Sequence, residues 1–543
     1  MTPTEPEEPH GHGLEALTLF IGALGLMILF PSPGPRQWDG LMSATVLAHW
    51  PETPVNAILF FAHPLVLPLT RLFDLALPYL DRNLIVSLRE ATFAACAATL
   101  IYLFAVRLWG RLPAALTALA YLLPIWHWTF ASWGEEKDTL MFFSLLFLLP
   151  FFHLRGDVAF TPLERLPRTA LRVLLGLALA LAFMVHLGAA LLVPFTILAS
   201  IVAPGPARNR RTALADLVWI LAAAGGATVA FYGVVVIGVN QITTLAGARA
   251  WFFAYHQQFF GLPNGGLQQL VRAYMGFRSY LVGGLPAALP AFECGLAIGI
   301  TLAVSRAALR HRPSLAAAGL IFVAIQAAHF FLYEPWDPEA WAPSSFIGLI
   351  LLGIAVFDGA LPLRRAGTAL WALGLLLLLA ADIDYYRDAL ASYDELQAEA
   401  STSPWPGTRP LEARYQAHNP AALMVRIFEP RIPTNAILTV GQRHLANAFL
   451  IYTPRRPVVA KYLDRTEAQL VTENQLTNLS LLFYRPPVTS AAIAAAARAG
   501  RPVYHVSART AELDAAALLA AGLTPRTVLE VSGFRLYALE PTP

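Results

Sequence analysis

Runs of about 18 or more apolar residues recur along the first 380 positions, and each can cross a hydrocarbon core about 30 Å thick. In lipid no water satisfies the backbone, so such runs fold as helices whose hydrogen bonds are internal. Only 13% of the 543 residues are charged and 57% are hydrophobic, which removes the ordinary soluble classes from consideration. Eleven crossings are expected, at about 14–31, 86–106, 112–129, 138–154, 171–186, 188–203, 213–238, 281–304, 314–333, 342–360 and 367–383. The first run follows an acidic tail (Glu5, Glu7, Glu8) rather than a basic one, so it reads as a retained span and not a cleaved leader.

Arginine sets the expected orientation, because cytoplasmic loops retain positive charge. Arg107 and Arg111 share one short loop, and Arg155, Arg165, Arg168 and Arg172 fall in or beside the next. Arg208, Arg210 and Arg211 follow, then Arg306, Arg310 and Arg312, then Arg364 and Arg365. These loops alternate along the chain, which places the N-terminus inside and the C-terminus outside a bacterial inner membrane. A net charge of +3 gives no nucleic-acid footprint. Cys96 and Cys294 lie in separate apolar segments, so neither a disulfide nor a cysteine metal site is expected.

The expected organisation is a transmembrane domain over 1–384, including an outer loop at 32–85, and a periplasmic domain over 385–543. From about Pro430 the apolar pattern shortens. Strands are expected at 437–441, 458–463, 479–484 and 503–506, with two more around Ser532-Gly533. Helical stretches between them (442–452, 489–499 and 511–521) suggest a parallel α/β layer of about 110 residues. No G-x-G-x-x-G follows the first strand, so a nucleotide site is not indicated and a structural or acceptor-docking role is.

The outer segments hold the chemistry-bearing residues. The first contains Arg36, Asp39 and the apolar, proline-interrupted stretch around His63-Pro64, which reads as helices lying at the membrane surface. Asp39 reads as a general base, a metal ligand or a solvated loop aspartate. The connection from Trp126 to Asp138 carries Glu135, Glu136 and Lys137 at the start of an apolar run. Ionisable groups at that depth are costly and commonly functional, though a locally neutralised helix cap has the same composition. His186 ends a short span, where it can meet an anionic head group or simply pack. Glu334 and Trp336 lie in an acidic, aromatic turn, and Tyr255 and His256 in a loop that can cover a cleft.

In order and sidedness these segments resemble the GT-C superfamily of membrane glycosyltransferases. They are closest to the bacterial family related to the transmembrane protein O-mannosyltransferase. The resemblance rests on Asp39-Gly40 after span one, His63-Pro64 in an amphipathic stretch, and Glu135 or Glu136 opening span four. His186-Leu187-Gly188 and the strand entry Ile432–Thr439 complete it. It implies a GT-C-like polytopic helical fold and an enzyme that takes sugar from a polyprenyl-phosphate carrier to a glycan, lipid or protein acceptor, with inversion. Asp39 is then the expected base, with Glu135 and Glu136 assisting. Arg36, His63, Lys137 and His186 are expected on the lipid phosphate, and Tyr255, His256, Glu334 and Trp336 are further substrate-binding candidates. A divalent metal is compatible with Asp39 and not required. Two other classes fit the same composition: a flippase for a lipid-linked solute, which would show paired broken spans in an inverted repeat, and a non-catalytic envelope assembly protein.

Overall fold

The structure, a computed structural model, describes residues 12–32, 38–53, 55–59, 63–206, 209–253, 266–282, 289–330, 341–359, 361–391, 394–401, 418–440, 448–449, 451–452, 458–460, 490–508, 519 and 522–542. Its principal helices are α1 (His12–Leu29), α2 (Trp38–Ala48), α3 (Val66–Ala76), α4 (Arg82–Trp109), α5 (Arg111–Leu122) and α6 (Ile125–Trp133). Next come α7 (Lys137–Arg155), α8 (Arg168–Val185), α9 (Leu192–Val202), α10 (Arg210–Gly233), α11 (Gly266–Val282) and α12 (Pro290–His311). The last are α13 (Pro313–Phe330), α14 (Ala342–Phe357), α15 (Leu361–Ala391), α16 (Pro420–Phe428) and α17 (Ser490–Arg498).

The chain divides into two compact units. The first comprises Met1–Phe30, Glu90–Ser132 and Glu136–Asp384; the second comprises Pro31–Arg89, Trp133–Glu135 and Tyr385–Pro543. Among the described residues of the chain, seven helices are long and apolar enough to cross a membrane. The pair α5–α6, bent by 60°, makes an eighth if it is one span, and shorter apolar helices run Leu187–Val202, Pro313–His329 and Ser345–Phe357. The window over α7 is 72% buried and that over α12 only 11%, so α7 is an inner helix and α12 a peripheral one. Leu370, Leu373, Leu376 and Leu377 of α15 are each at least 51% exposed, a face that water would penalise and lipid does not. This is a membrane protein.

One span differs from the reading of the sequence. The expected crossing at 281–304 is shifted, because α11 runs to Val282 and α12 begins only at Pro290 and continues to His311. Proline has no N–H and a φ already suited to a helix, so it fits a first turn, where no intrahelical donor is needed, and Pro290 opens α12.

In the second unit a five-stranded sheet has the order β2-β1-β3-β5-β4, with β1 Ile437–Val440, β2 Val458–Ala460, β3 Val503–Ala508, β4 Leu523–Val531 and β5 Phe534–Pro541. Strands β2, β1 and β3 are parallel, as the alternation of strand and helix suggests. Strands β4 and β5 are antiparallel, so the sheet is mixed rather than parallel. The reason is local: Ser532 (φ 46°) and Gly533 (φ 81°) form a two-residue turn with positive φ at both positions, which can only join antiparallel neighbours. The expected strand at 479–484 lies outside the described residues, as does nearly all of the expected helix at 511–521. Leu423, Met424, Ile427 and Phe428 of α16 pack with Leu438, Val440 and Val506 of the sheet into one core. The outer-loop helices have a core of their own: Ala44 and Leu47 of α2 meet Ile85 and Val86 of α4, with Phe73 and Ile451 against them.

Candidate functional site

The first unit concentrates its buried charge at the N-terminal end of α7. Pro124 cannot continue α5, and the chain re-enters as α6 with His127 N donating to Pro124 O at 3.0 Å. Gly134, at φ 78°, ends α6, and Glu136 takes the N-cap position of α7. Glu136 is 3% exposed, Lys137 7% and Asp138 0%, so these groups sit inside the protein and not on a solvated cap. Buried charges are retained only with partners, and α7 has them. Glu90 of α4 accepts from Thr139 N at 3.0 Å and from Thr139 Oγ1. Asp138 Oδ1 accepts from His127 Nδ1 at 2.8 Å and from Tyr121 Oη at 3.2 Å. Tyr280 of α11 stands edge-on to the His127 ring, with centroids 5.4 Å apart. Burial pushes the Tyr280 phenol well up, a hydrogen bond with Ser345 opposes this, and the Asp138 charge adds to it.

Beside this lies the second cluster. His186 leaves α8 in an extended conformation, and its Nδ1 accepts the Gly188 N–H at 2.8 Å. An accepting Nδ1 carries no hydrogen, so the proton of the neutral ring is on Nε2. That Nε2 is 3.2 Å from Lys137 Nζ and 3.6 Å from Glu136 Oε1, and Lys137 Nζ is 3.4 Å from the same oxygen. An ammonium has no lone pair, so the imidazole N–H and Lys137 do not bond each other; they are two donors aimed at one place. The N-terminus of a 19-residue helix adds its own positive potential there. The arrangement suits an anion such as a phosphate oxygen. The same hydrogen bond makes Nε2 a donor, and Glu136 Oε1 lies against both it and Lys137 Nζ.

In the second unit Asp39 occupies the first turn of α2, and its side chain lies outside what is described. Its neighbour Gly40 packs directly on Trp133: a Cβ there would collide with the Trp133 carbonyl oxygen. Arg89, fully buried, grips the same turn by donating from Nη2 to Gly134 O at 2.9 Å and from Nη1 to Thr70 Oγ1. A Cβ on Gly134 would strike Val86 Cγ1. The structure thus brings the Asp39-Gly40 segment against the turn that carries Glu135, itself fully buried. His63 is half-buried just ahead of α3.

Of the residues singled out in the sequence, Glu136, Lys137 and His186 come together in one unit, and Asp39 and Glu135 come from touching segments in the other. Arg36, Tyr255, His256, Glu334 and Trp336 lie outside the described residues. Glu90, Arg89, His127 and Asp138 were not singled out as site residues. The helical period of α4 places Glu90 and Arg89 near its start, where a charge inside an apolar run was the available signal.

No protein-family model and no curated protein matches this chain. Solved structures do, at low identity. ArnT from Cupriavidus metallidurans bound to undecaprenyl phosphate superimposes with a TM-score of 0.61, covering 97% of this chain and 98% of that one at 16% identity. The apo state of the same protein gives 0.58, with the same identity and coverage. The apo oligosaccharyltransferase of Archaeoglobus fulgidus gives 0.49 at 12% identity, over 98% of this chain and 75% of that one. At 16% identity the likeness to ArnT is one of fold.

Proposed function

We propose that this protein is a glycosyltransferase that moves a sugar from a polyprenyl-phosphate carrier to an acceptor at the outer face of the inner membrane. The observation that supports this reading is the convergence of Lys137 Nζ and His186 Nε2, 3.2 Å apart, at the N-terminus of α7, where two donors and the helix terminus can meet an anion. A lipid-linked phosphate is the anion that reaches such a place from the bilayer, and the ArnT structure that shares this fold is bound to undecaprenyl phosphate. Eleven crossings are part of the reading: the seven long helices, the bent pair and the three shorter apolar helices together make that number.

The acceptor hydroxyl attacks the anomeric carbon, the carbon–oxygen bond to phosphate breaks, and the phosphate leaves with the bonding pair. Asp39 takes the acceptor proton, and Glu135 orients that hydroxyl. Lys137, His186, Arg36 and His63 meet the charge that grows on the departing phosphate, where preorganised donors contribute most. One displacement of this kind inverts the anomeric centre.

The test is transfer from a panel of radiolabelled polyprenyl-phosphate sugars by purified wild type and Asp39→Asn in parallel. Transfer by the wild type that is lost in the folded variant is expected. Equal turnover by both removes Asp39 from the mechanism. Silence of folded wild type across the panel, with lipid movement between leaflets, moves the assignment to a flippase.

A further inference from the structure

A buried trio beside this site has no part in the chemistry above. His127, Asp138 and Tyr121 are each fully buried, and one oxygen, Asp138 Oδ1, receives both Tyr121 Oη and His127 Nδ1. Those donors come from the last turn of α5 and the first turn of α6. One carboxylate therefore ties three successive helices across two breaks, the 60° bend after Leu122 and the turn at Gly134. His127 Nε2 and Asp138 Oδ2 have no hydrogen-bond partner among the described residues. A half-satisfied buried network costs stability relative to apolar packing, so its retention points to a geometric role.

We infer that His127 and Tyr121 are positioning residues: through Asp138 they fix the first turn of α7 and so hold Lys137, the preceding residue, at His186 and Glu136. The inference rests on the reading of Lys137 as the anion-binding group. Lys137 enters α7 with its backbone one residue from the knot. A rotation of that turn by a fraction of a residue would carry Nζ away from the 3.2 Å approach to His186 Nε2.

The chain contains two lysines, Lys137 and Lys461, so the test can read Lys137 directly. Purified protein in lipid nanodiscs is acetylated with an amine-reactive ester, and the rate at Lys137 is followed by peptide mass spectrometry with Lys461 as internal reference. An asparagine amide reproduces the Nδ1 donor of histidine; a glutamine amide reproduces Nε2 and is closer to histidine in size. His127→Gln is expected to raise Lys137 acetylation about tenfold and His127→Asn to leave it within about twofold, since a hydrogen bond to a charged group carries about that factor. Tyr121→Phe, which removes one hydroxyl, is expected to raise it about threefold. A space-filling role gives the opposite ranking, and Gln at the wild-type rate, or Asn and Gln raised alike, overturns the proposal. A parallel arm adds undecaprenyl phosphate to the wild type. Protection of Lys137 is expected there, and its absence would count against the lipid-phosphate reading while the unliganded comparison still decides the positioning role.

Discussion

At Lys137 and His186 the hydrogen-bond bookkeeping decides the chemistry. Gly188 N–H occupies His186 Nδ1, so Nε2 is a second donor beside Lys137, and Glu136 Oε1 lies against both. Two variants at this position separate donor from bulk. His186→Gln keeps an N–H near Nε2 and is expected to hold undecaprenyl phosphate within about threefold of wild type, while His186→Ala loses about tenfold, measured by equilibrium binding in nanodiscs. For Lys137→Gln, which removes a buried charge from a phosphate contact, the expected loss is about tenfold to a hundredfold, and Lys137→Arg should restore part of it. The sequence exposed these residues through their type: a lysine among carboxylates at a helix start, and a histidine at a span end, are costly in lipid and stand out. It hid His127 and Asp138 because their partnership spans a bend. Residues 127 and 138 lie on different helices, and no helical period relates them.

Between elements, the approach of α2 to the turn at Trp133–Glu135 depends on a missing side chain. Gly40→Ala places a Cβ into the Trp133 carbonyl oxygen, and backbone on both sides leaves little to yield. The variant is expected to lose about 1–3 kcal/mol of stability, read as a lowered Tm, with transfer activity falling further because Asp39 moves with α2. An unchanged Tm and activity would show that α2 can re-seat. The C-terminal end of α7 is held differently. Arg155 donates from Nε to Asp157 at 2.6 Å, from Nη1 to Ala199 O at 3.0 Å and from Nη2 to Ser314 Oγ at 3.1 Å, linking the ends of α7 and α9 to the start of α13. Arg155→Lys keeps the charge and loses the fork, so a destabilisation of about 2 kcal/mol is expected from thermal melting. Most helices were legible from their apolar runs. The α11–α12 boundary was blurred because the apolar character of 281–304 continues through it. The sheet's direction was misread because alternation of strand and helix describes β1 to β3, while the last two strands obey their turn.

Across the whole molecule the arginines that argued for sidedness are also structural. Arg168 and Arg172 both bond Asp216, Arg312 bonds Asp358 and Leu108 O, and Arg364 donates to Trp109 O. Arginine loops that retain charge on the cytoplasmic side can therefore also clamp helix ends, and the two roles need not conflict: a guanidinium anchored at a helix end is still a charge that resists translocation. If the orientation is as proposed, the arginine loops and the C-terminal sheet face opposite compartments. With Cys96 and Cys294 replaced by alanine, two exposed positions report this: Arg165→Cys, after α7, and Thr542→Cys, after β5. A membrane-impermeant maleimide applied to cells with a permeabilised outer membrane is expected to label Thr542→Cys at once and Arg165→Cys only after the inner membrane is opened. The reverse pattern would put the sheet and the proposed acceptor face in the cytoplasm, where sugar nucleotides abound, and a lipid-linked donor would lose its rationale. Labelling of both before opening would mean that an odd number of crossings does not separate them, and the span count of eleven would have to be revised.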